Sequence, residues 1–168
     1  MVQCLNPKCL ANSPEGSVQC VNPACQCLLP GAVVSARYRI ETMLGIGGMG
    51  AVYRVNDIFE MEQVALKVLL THYQQTDAAI AVERFRREAL FSHQLHHDNI
   101  VPVLNFGQDG TLLYLVMPLI TGGTIKSLIT SGNPLPLAQA IRYLNELAGA
   151  IEAIHAHPQH LIHRDIKP

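Results

Sequence analysis

Gly45-Ile46-Gly47-Gly48-Met49-Gly50, running straight into Ala51-Val52-Tyr53-Arg54-Val55, decides how the rest of this chain is read. Glycines at the spacing Gly-x-Gly-x-x-Gly let a backbone lie close to phosphate oxygens, because no Cβ stands in the way. The same spacing opens dinucleotide-binding βαβ units, where the last glycine must start a helix whose N-terminal amides receive the pyrophosphate. Here Gly50 leads into a β-branched and aromatic run with strand character. No Gly-Lys-Ser/Thr ending completes a mononucleotide loop either. The glycines therefore join two strands as a flap. A glycine-rich hairpin without a ligand is the plain alternative for the motif taken alone.

Outward from this point, Arg37-Tyr38-Arg39-Ile40 opens a strand that runs to Met43-Leu44, and Gln63 to Leu69 forms a third strand after the flap. From about Asp77 to Leu95 the residues are good helix formers without Gly or Pro. Asn99 to Pro102 breaks that helix. Val101 to Phe106 and Thr111 to Met117 are two more strands, joined through the turn residues Gly107-Gln108-Asp109-Gly110. Gly122-Gly123 precedes a short segment, Thr124 to Thr130. A long helix from about Leu137 to His155 places Ile141, Leu144, Leu147, Ile151 and Ile154 on one face. Five strands with a helix between the third and fourth, then mostly helix, make an α+β chain.

Two further features supply chemistry. Lys67 lies within the apolar run Val64-Ala65-Leu66-Lys67 on the third strand. A strand lysine is ordinarily solvated at an edge, whereas one aimed into a cleft needs an anion, because a buried ammonium is costly unless paired. Phosphates under the flap are one partner. A carboxylate on the following helix is the other: Glu88 stands just before an apolar stretch, and Glu83 has the more exposed setting. Near the end, His163-Arg164-Asp165-Ile166-Lys167-Pro168 follows the apolar pair Leu161-Ile162. Alone, this would be a surface ion pair.

In that order, the glycine flap, strand lysine, helix glutamate and His-Arg-Asp segment resemble the eukaryotic-like, bacterial-type Ser/Thr protein kinases. The resemblance covers residues from about Tyr38 to Pro168. It implies a kinase N-lobe (38–120, five antiparallel strands and one helix) and the start of a helical C-lobe (121–168). It also implies ATP bound under Gly45, Ile46, Gly47, Gly48, Met49 and Gly50, with Leu44, Val52 and Ala65 roofing the adenine. Met117, Pro118 and Ile120 would form the hinge, with Met117 the gatekeeper. Lys67 would hold the α/β-phosphates and pair with Glu88. Asp165 would accept or orient the substrate hydroxyl, and Lys167 would stabilise the transferring phosphoryl group. Arg164 resembles the arginine that docks a phosphorylated activation loop.

Two departures from the family pattern stand out. Pro118 replaces the usual acidic residue of the hinge but keeps the needed carbonyl. Residues 157–160 form a longer approach to the catalytic loop. Relatives place the Mg2+-binding Asn, and an Asp-Phe-Gly whose Asp also binds Mg2+, beyond Pro168. The chain is therefore expected to be a portion of a longer protein and to transfer little phosphate by itself. A nucleotide-binding pseudokinase acting through its N-terminal head is the alternative.

That head, residues 1–29, is joined by a linker at 30–37. It holds all five cysteines of the chain within the first 27 residues. Cys4-Leu5-Asn6-Pro7-Lys8-Cys9 is echoed by Cys20-Val21-Asn22-Pro23-Ala24-Cys25. Each Asn-Pro makes a turn that aims two thiolates at one tetrahedral ion, a zinc-ribbon-like Cys4 site of Cys4, Cys9, Cys20 and Cys25, with Cys27 competing for Cys25's place. So small a segment has almost no core, so Zn2+ would supply its folding energy, on the order of 10 kcal/mol. Free thiols acting as a redox sensor are the competing interpretation. With four thiolates and no open position, the head's expected role is structural or protein interaction.

Composition closes off other classes. At 49% hydrophobic and 15% charged residues the chain can build a core. A net charge of −1 with mixed signs gives no basis for nucleic-acid binding. No apolar window of roughly 18 residues offers a bilayer span, and the start lacks a secretory pattern. Clustered cysteines with none elsewhere fit a reducing cytoplasm better than a disulfide-stapled secreted domain. The expected partners are ATP, a protein substrate bearing Ser or Thr, and a protein bound through the head.

Overall fold

The computed structural model describes residues 1–47, 50–70, 78–129, 134–158 and 166. These belong to two units, one formed by residues 1–93 and 103–119 and the other by 94–102 and 120–168.

The first unit holds two antiparallel sheets. A small one pairs β1 (Val2–Gln3) with β2 (Asn12–Ser13) in the cysteine head. The larger has six strands in the order β3 (Val33–Val34), β4 (Tyr38–Gly47), β5 (Gly50–Asp57), β6 (Glu62–Val68), β8 (Leu112–Pro118) and β7 (Asn105–Asp109). Helix α1 (Ala78–Gln94) lies between β6 and β7 in sequence. The five expected strands and the helix are all present. The sixth strand, β3, forms within the stretch expected as a linker: Val33 pairs with Arg39 and Val34 with Tyr38. Ser35 and Ala36, at φ +53° and +52°, turn the chain between them.

Two strand boundaries differ from expectation. The glycine segment is mostly ladder and not a loose turn, since Gly45 pairs with Val52, Ile46 with Ala51 and Gly47 with Gly50. The strand expected at 101–106 begins at Asn105 instead, after Pro102, which has no N–H to give to a ladder. It then runs through Gly107 and Gln108, leaving Gly110 (φ +58°) and Thr111 as the turn.

Each side of the sheet has its own core. On one side Tyr38, Ile40, Ala51, Tyr53, Val55, Val64, Leu66, Val68, Tyr114 and Val116 pack with Cys4, Cys20, Cys25, Cys27, Leu28 and Leu29 of the head. On the other, Ala81, Phe85 and Ala89, spaced four apart along α1, pack against Leu69, Val103, Leu113 and Leu115. His93 closes the helix end through its Nδ1 and the Val103 carbonyl, 3.2 Å apart.

In the second unit, α2 (Ile125–Leu128) opens with a capping box in which Thr124 accepts from the Ser127 N–H. Helix α3 (Leu137–His155) follows. Its expected apolar face is present in sequence, and Ile154 is buried, but Ile141, Leu144 and Leu147 are exposed.

Candidate nucleotide site and cysteine cluster

Strand alternation puts Val52, Ala65, Lys67 and Met117 on one side of the sheet, whereas Ile46, paired with Ala51, packs against the core on the other side. Val52 pairs with Lys67, Arg54 with Ala65, Ala65 with Met117 and Lys67 with Leu115, so these side chains share a face. Helix α1 packs on that same face, against Leu113 and Leu115. Glu88 sits beside Phe85 and Ala89 on α1. Its Oε1 lies 2.5 Å from Lys67 Nζ, with only 17% of the lysine side chain exposed. Glu83, the other candidate, is exposed on α1. The structure thus joins Lys67 to Glu88 and leaves Glu83 apart from the pair.

The glycine hairpin stands at the end of this face. Gly50, at φ +146°, passes so close to the Val68 carbonyl that a Cβ there would strike its oxygen. Gly45 and Gly47 have open space where a Cβ would be. Leu44 falls at a ladder irregularity between Met43 and Gly45 and is half exposed on the rim. Met117 and Pro118 end β8. Ile120 belongs to the second unit and is exposed. Gly48, Met49, Arg164, Asp165 and Lys167 lie outside the described residues.

A separate depression of about 250 Å³ is lined by Arg37, Tyr38, Asp57 and Val64 among others. It lies on the opposite side from Lys67. Its arginine is already engaged, because Arg37 pairs with Asp57 at 2.7 Å. Arg37 draws the Asp57 carboxyl below its ordinary range, helped by the Phe59 and Glu60 amides against the effect of burial.

In the head, the sulfur atoms of Cys4, Cys9, Cys20 and Cys25 lie within 4.8 Å of one another. The Cys4–Cys25 and Cys9–Cys20 separations are 3.6 and 3.7 Å. A tetrahedral ion with metal–sulfur bonds near 2.3 Å requires sulfurs about 3.8 Å apart. The cluster fits such an ion, and none of its cysteines is in a disulfide.

The two knuckles are built alike. Asn6 and Asn22 each accept, through Oδ1, the N–H two residues on, at 3.0 Å. Their carbonyls accept from Cys9 and Leu10, and from Cys25 and Gln26. Leu10 and Gln26 then take matching left-handed conformations, φ +52° and +49°. Cys4 N–H donates to Ala11 and Cys20 N–H to Cys27. Cys27 therefore occupies the place that Ala11 holds in the first knuckle, and this explains why it stands outside the sulfur cluster.

The asparagine amides cross between knuckles. Asn6 Nδ2 donates to Cys25 Sγ and Asn22 Nδ2 to Cys9 Sγ, each at 3.3 Å. The sequence marked these asparagines only as turn residues, although their repetition in both knuckles was the available signal. Burial pushes the Cys25 thiol up, but N–H donors from Cys27 and Asn6 outweigh it and bring the group down to about 7. Burial raises the Cys4 and Cys20 thiols. A cation bound by the four sulfurs would displace the thiol protons.

Comparison with known proteins matches residues 38–168 to the family described as "Protein kinase domain". The chain belongs to the protein kinase domain family. It is 38% identical over 141 residues to the serine/threonine-protein kinase PrkC of Bacillus subtilis, covering 84% of this chain and 21% of the relative. It is 39% identical over 139 residues to a probable serine/threonine-protein kinase PknB of Lactococcus lactis, covering 82% and 22%. The chain thus spans about a fifth of the length of these curated relatives. Among solved structures, the PknI kinase domain of Mycobacterium tuberculosis matches with a TM-score of 0.66 and 30% identity, covering 83% of this chain and 55% of that one. A kinase domain entails the use of ATP and Mg2+.

Proposed function

We propose that the protein to which this chain belongs is an ATP-dependent serine/threonine protein kinase of the bacterial type. The single observation that carries the proposal is the Lys67–Glu88 ion pair, on the sheet face shared with Val52 and Ala65 and beside the glycine hairpin. A strand ammonium anchored by a helix carboxylate is held ready for the α/β-phosphates. The hairpin amides at Gly45 to Gly50 would cover the triphosphate, and Val52, Ala65 and Leu44 would enclose the adenine. Met117, Pro118 and Ile120 would form the hinge against its edge. Asp165 would receive or orient the Ser/Thr hydroxyl, and Lys167 would offset charge on the transferring group. Bound Mg2+ supplies further charge neutralisation on the phosphates. Relatives named as kinases favour this proposal over a pseudokinase.

The cysteine cluster is proposed as a structural Zn2+ site with Cys4, Cys9, Cys20 and Cys25 as ligands, supported by sulfur spacings that suit one tetrahedral ion. Free thiols fit a reducing, cytoplasmic setting. Among the described residues no helix is long and apolar enough to cross a membrane. A protein partner of the head would have the exposed apolar side chains of Leu10, Val18 and Val21 available to it.

The test is phosphate transfer from radiolabelled ATP to serine- and threonine-containing protein by the full-length enzyme. Asp165→Asn is expected to abolish transfer while leaving nucleotide affinity nearly intact. Transfer by that variant at the native rate would refute the assignment.

A further inference from the structure

The cysteine head is continuous with the sheet. Three residues, Leu28, Leu29 and Pro30, separate Cys27 from Gly31, whose N–H already donates to Ile40 of β4 at 2.8 Å. Ile40 returns the bond to Ala32. Such a connection leaves no length for a flexible tether.

The second knuckle and the sheet also share residues. Cys20 N–H donates to Cys27, Gln19 bridges Leu28, and Leu29 N–H donates to Val18, so the knuckle's own backbone holds this segment. Cys27, Leu28 and Leu29 are all fully buried, in one core with Ala51, Tyr53 and Val55 of β5. The Leu28 N–H donates to the Tyr53 hydroxyl at 3.0 Å. A tyrosine so completely enclosed needs that partner, because an unpaired buried hydroxyl is costly.

Strand β5 carries the consequence across the sheet. Ala51, Tyr53 and Val55 face the head, while Val52, between them, pairs with Lys67 on the opposite face. Tyr53 pairs with Leu66, the residue before Lys67. The head and the nucleotide-facing side chains therefore lie on two sides of the same β5–β6 ladder.

We infer that the cysteine head is the second layer of the nucleotide-binding lobe, so that metal occupancy at Cys4, Cys9, Cys20 and Cys25 is thermodynamically linked to the stability of β4–β6 and to nucleotide affinity. The inference rests on the metal-site proposal above. A site that lacks organisation without its ion contributes its binding free energy to folding. Here that folding includes Cys27–Leu29, the residues that cover β5. Linkage is reciprocal, so nucleotide must in turn tighten the hold on the metal.

The experiment uses full-length protein whose metal content is first measured by native mass spectrometry. A protein that carries no metal and accepts no Zn2+ refutes the metal site itself, and the linkage with it, before any coupling is measured. With one ion bound, hydrogen exchange is compared between loaded and chelator-stripped protein. Amides at 51–57 and 62–68 are expected to exchange at least about tenfold faster after stripping. Nucleotide affinity is expected to fall about fivefold or more. Acceleration that stops at Leu29 overturns the inference. Two measurements avoid stripping altogether. A saturating non-hydrolysable ATP analogue is expected to slow Zn2+ release to a chromophoric chelator severalfold. Leu28→Ala, which leaves every cysteine in place, is expected to speed release severalfold. Release unchanged in both overturns the inference equally.

Discussion

Lys67 Nζ sits 2.5 Å from Glu88 Oε1, linking the third strand of the glycine-hairpin meander to α1 on the face that also carries Val52 and Ala65. Glu88 is the more exposed partner, with 36% of its side chain open against 17% for Lys67. Solvent screening therefore limits what the pair adds to stability, and its value lies in aiming the ammonium.

If the pair acts as a unit on phosphate, Lys67→Met should lower kcat of the full-length kinase about 10²–10³-fold. Glu88→Gln, which keeps a polar group but loses the charge, should cost about tenfold, and much less in the Lys67→Met background. Steady-state kinetics on the two single variants and the double variant checks this. Equal losses from Glu88→Gln in both backgrounds would mean that the carboxylate does not work through Lys67.

The glycine spacing, the apolar run around Lys67 and the run of helix formers without Gly or Pro from about Asp77 to Leu95 were readable because each is a local pattern of the sequence. Docking of the head was not readable in this way. Cys27-Leu28-Leu29 is too short to show a period, and Val33-Val34 is bounded by the turn residues Gly31 and Ser35. Tyr53 held the available hint, since a tyrosine on the apolar side of a central strand must find a partner for its hydroxyl. The choice between Cys25 and Cys27 was legible in the internal repeat, which aligns Cys27 with Ala11. It was obscured because two nearby thiols are equally good ligands by chemistry alone.

That alignment yields a prediction about metal. Cys25→Ala removes a cluster sulfur and should abolish stoichiometric Zn2+ binding, whereas Cys27→Ala should keep one ion per chain. Asn6→Ala and Asn22→Ala each remove one N–H donor to a sulfur of the other knuckle and should weaken Zn2+ about 10- to 100-fold. Competition with a calibrated chelator measures all four variants. Loss of the ion from Cys27→Ala with retention in Cys25→Ala would reverse the ligand assignment.

Arg37 and Asp57 set an acid limit on the lobe. Asp57 is buried and accepts from the Arg37 guanidinium and from the Phe59 and Glu60 amides, so its native pKa lies below its ordinary value. A depressed carboxylate stabilises the fold above its unfolded pKa of about 3.9. That contribution is lost as pH falls through the lower, native value. Asp57→Asn should therefore melt about 3–6 °C below the native chain at pH 7. The gap should close progressively below about pH 4, as the native carboxyl is itself protonated. Calorimetry at several pH values reads it, and a gap that widens in acid would contradict the sign.

The two ends of the glycine hairpin should respond differently to a single methyl group. Gly50 combines φ +146° with a close approach to the Val68 carbonyl, so Gly50→Ala strains the backbone and pushes β5 from β6 whether or not nucleotide is present. Strain of this kind costs about 1–3 kcal/mol, enough to lower the melting temperature of the free protein by several degrees. At Gly47 the φ is unexceptional and a Cβ would meet only open space. Gly47→Ala should therefore leave the melting temperature of the free protein within about a degree of native. If phosphate oxygens approach this backbone, the added methyl occupies their space, and nucleotide affinity should fall about tenfold. Calorimetric melting and nucleotide titration of both variants separate the roles. Native affinity in Gly47→Ala would place the triphosphate away from the hairpin, leaving Gly50 as a requirement of the fold alone.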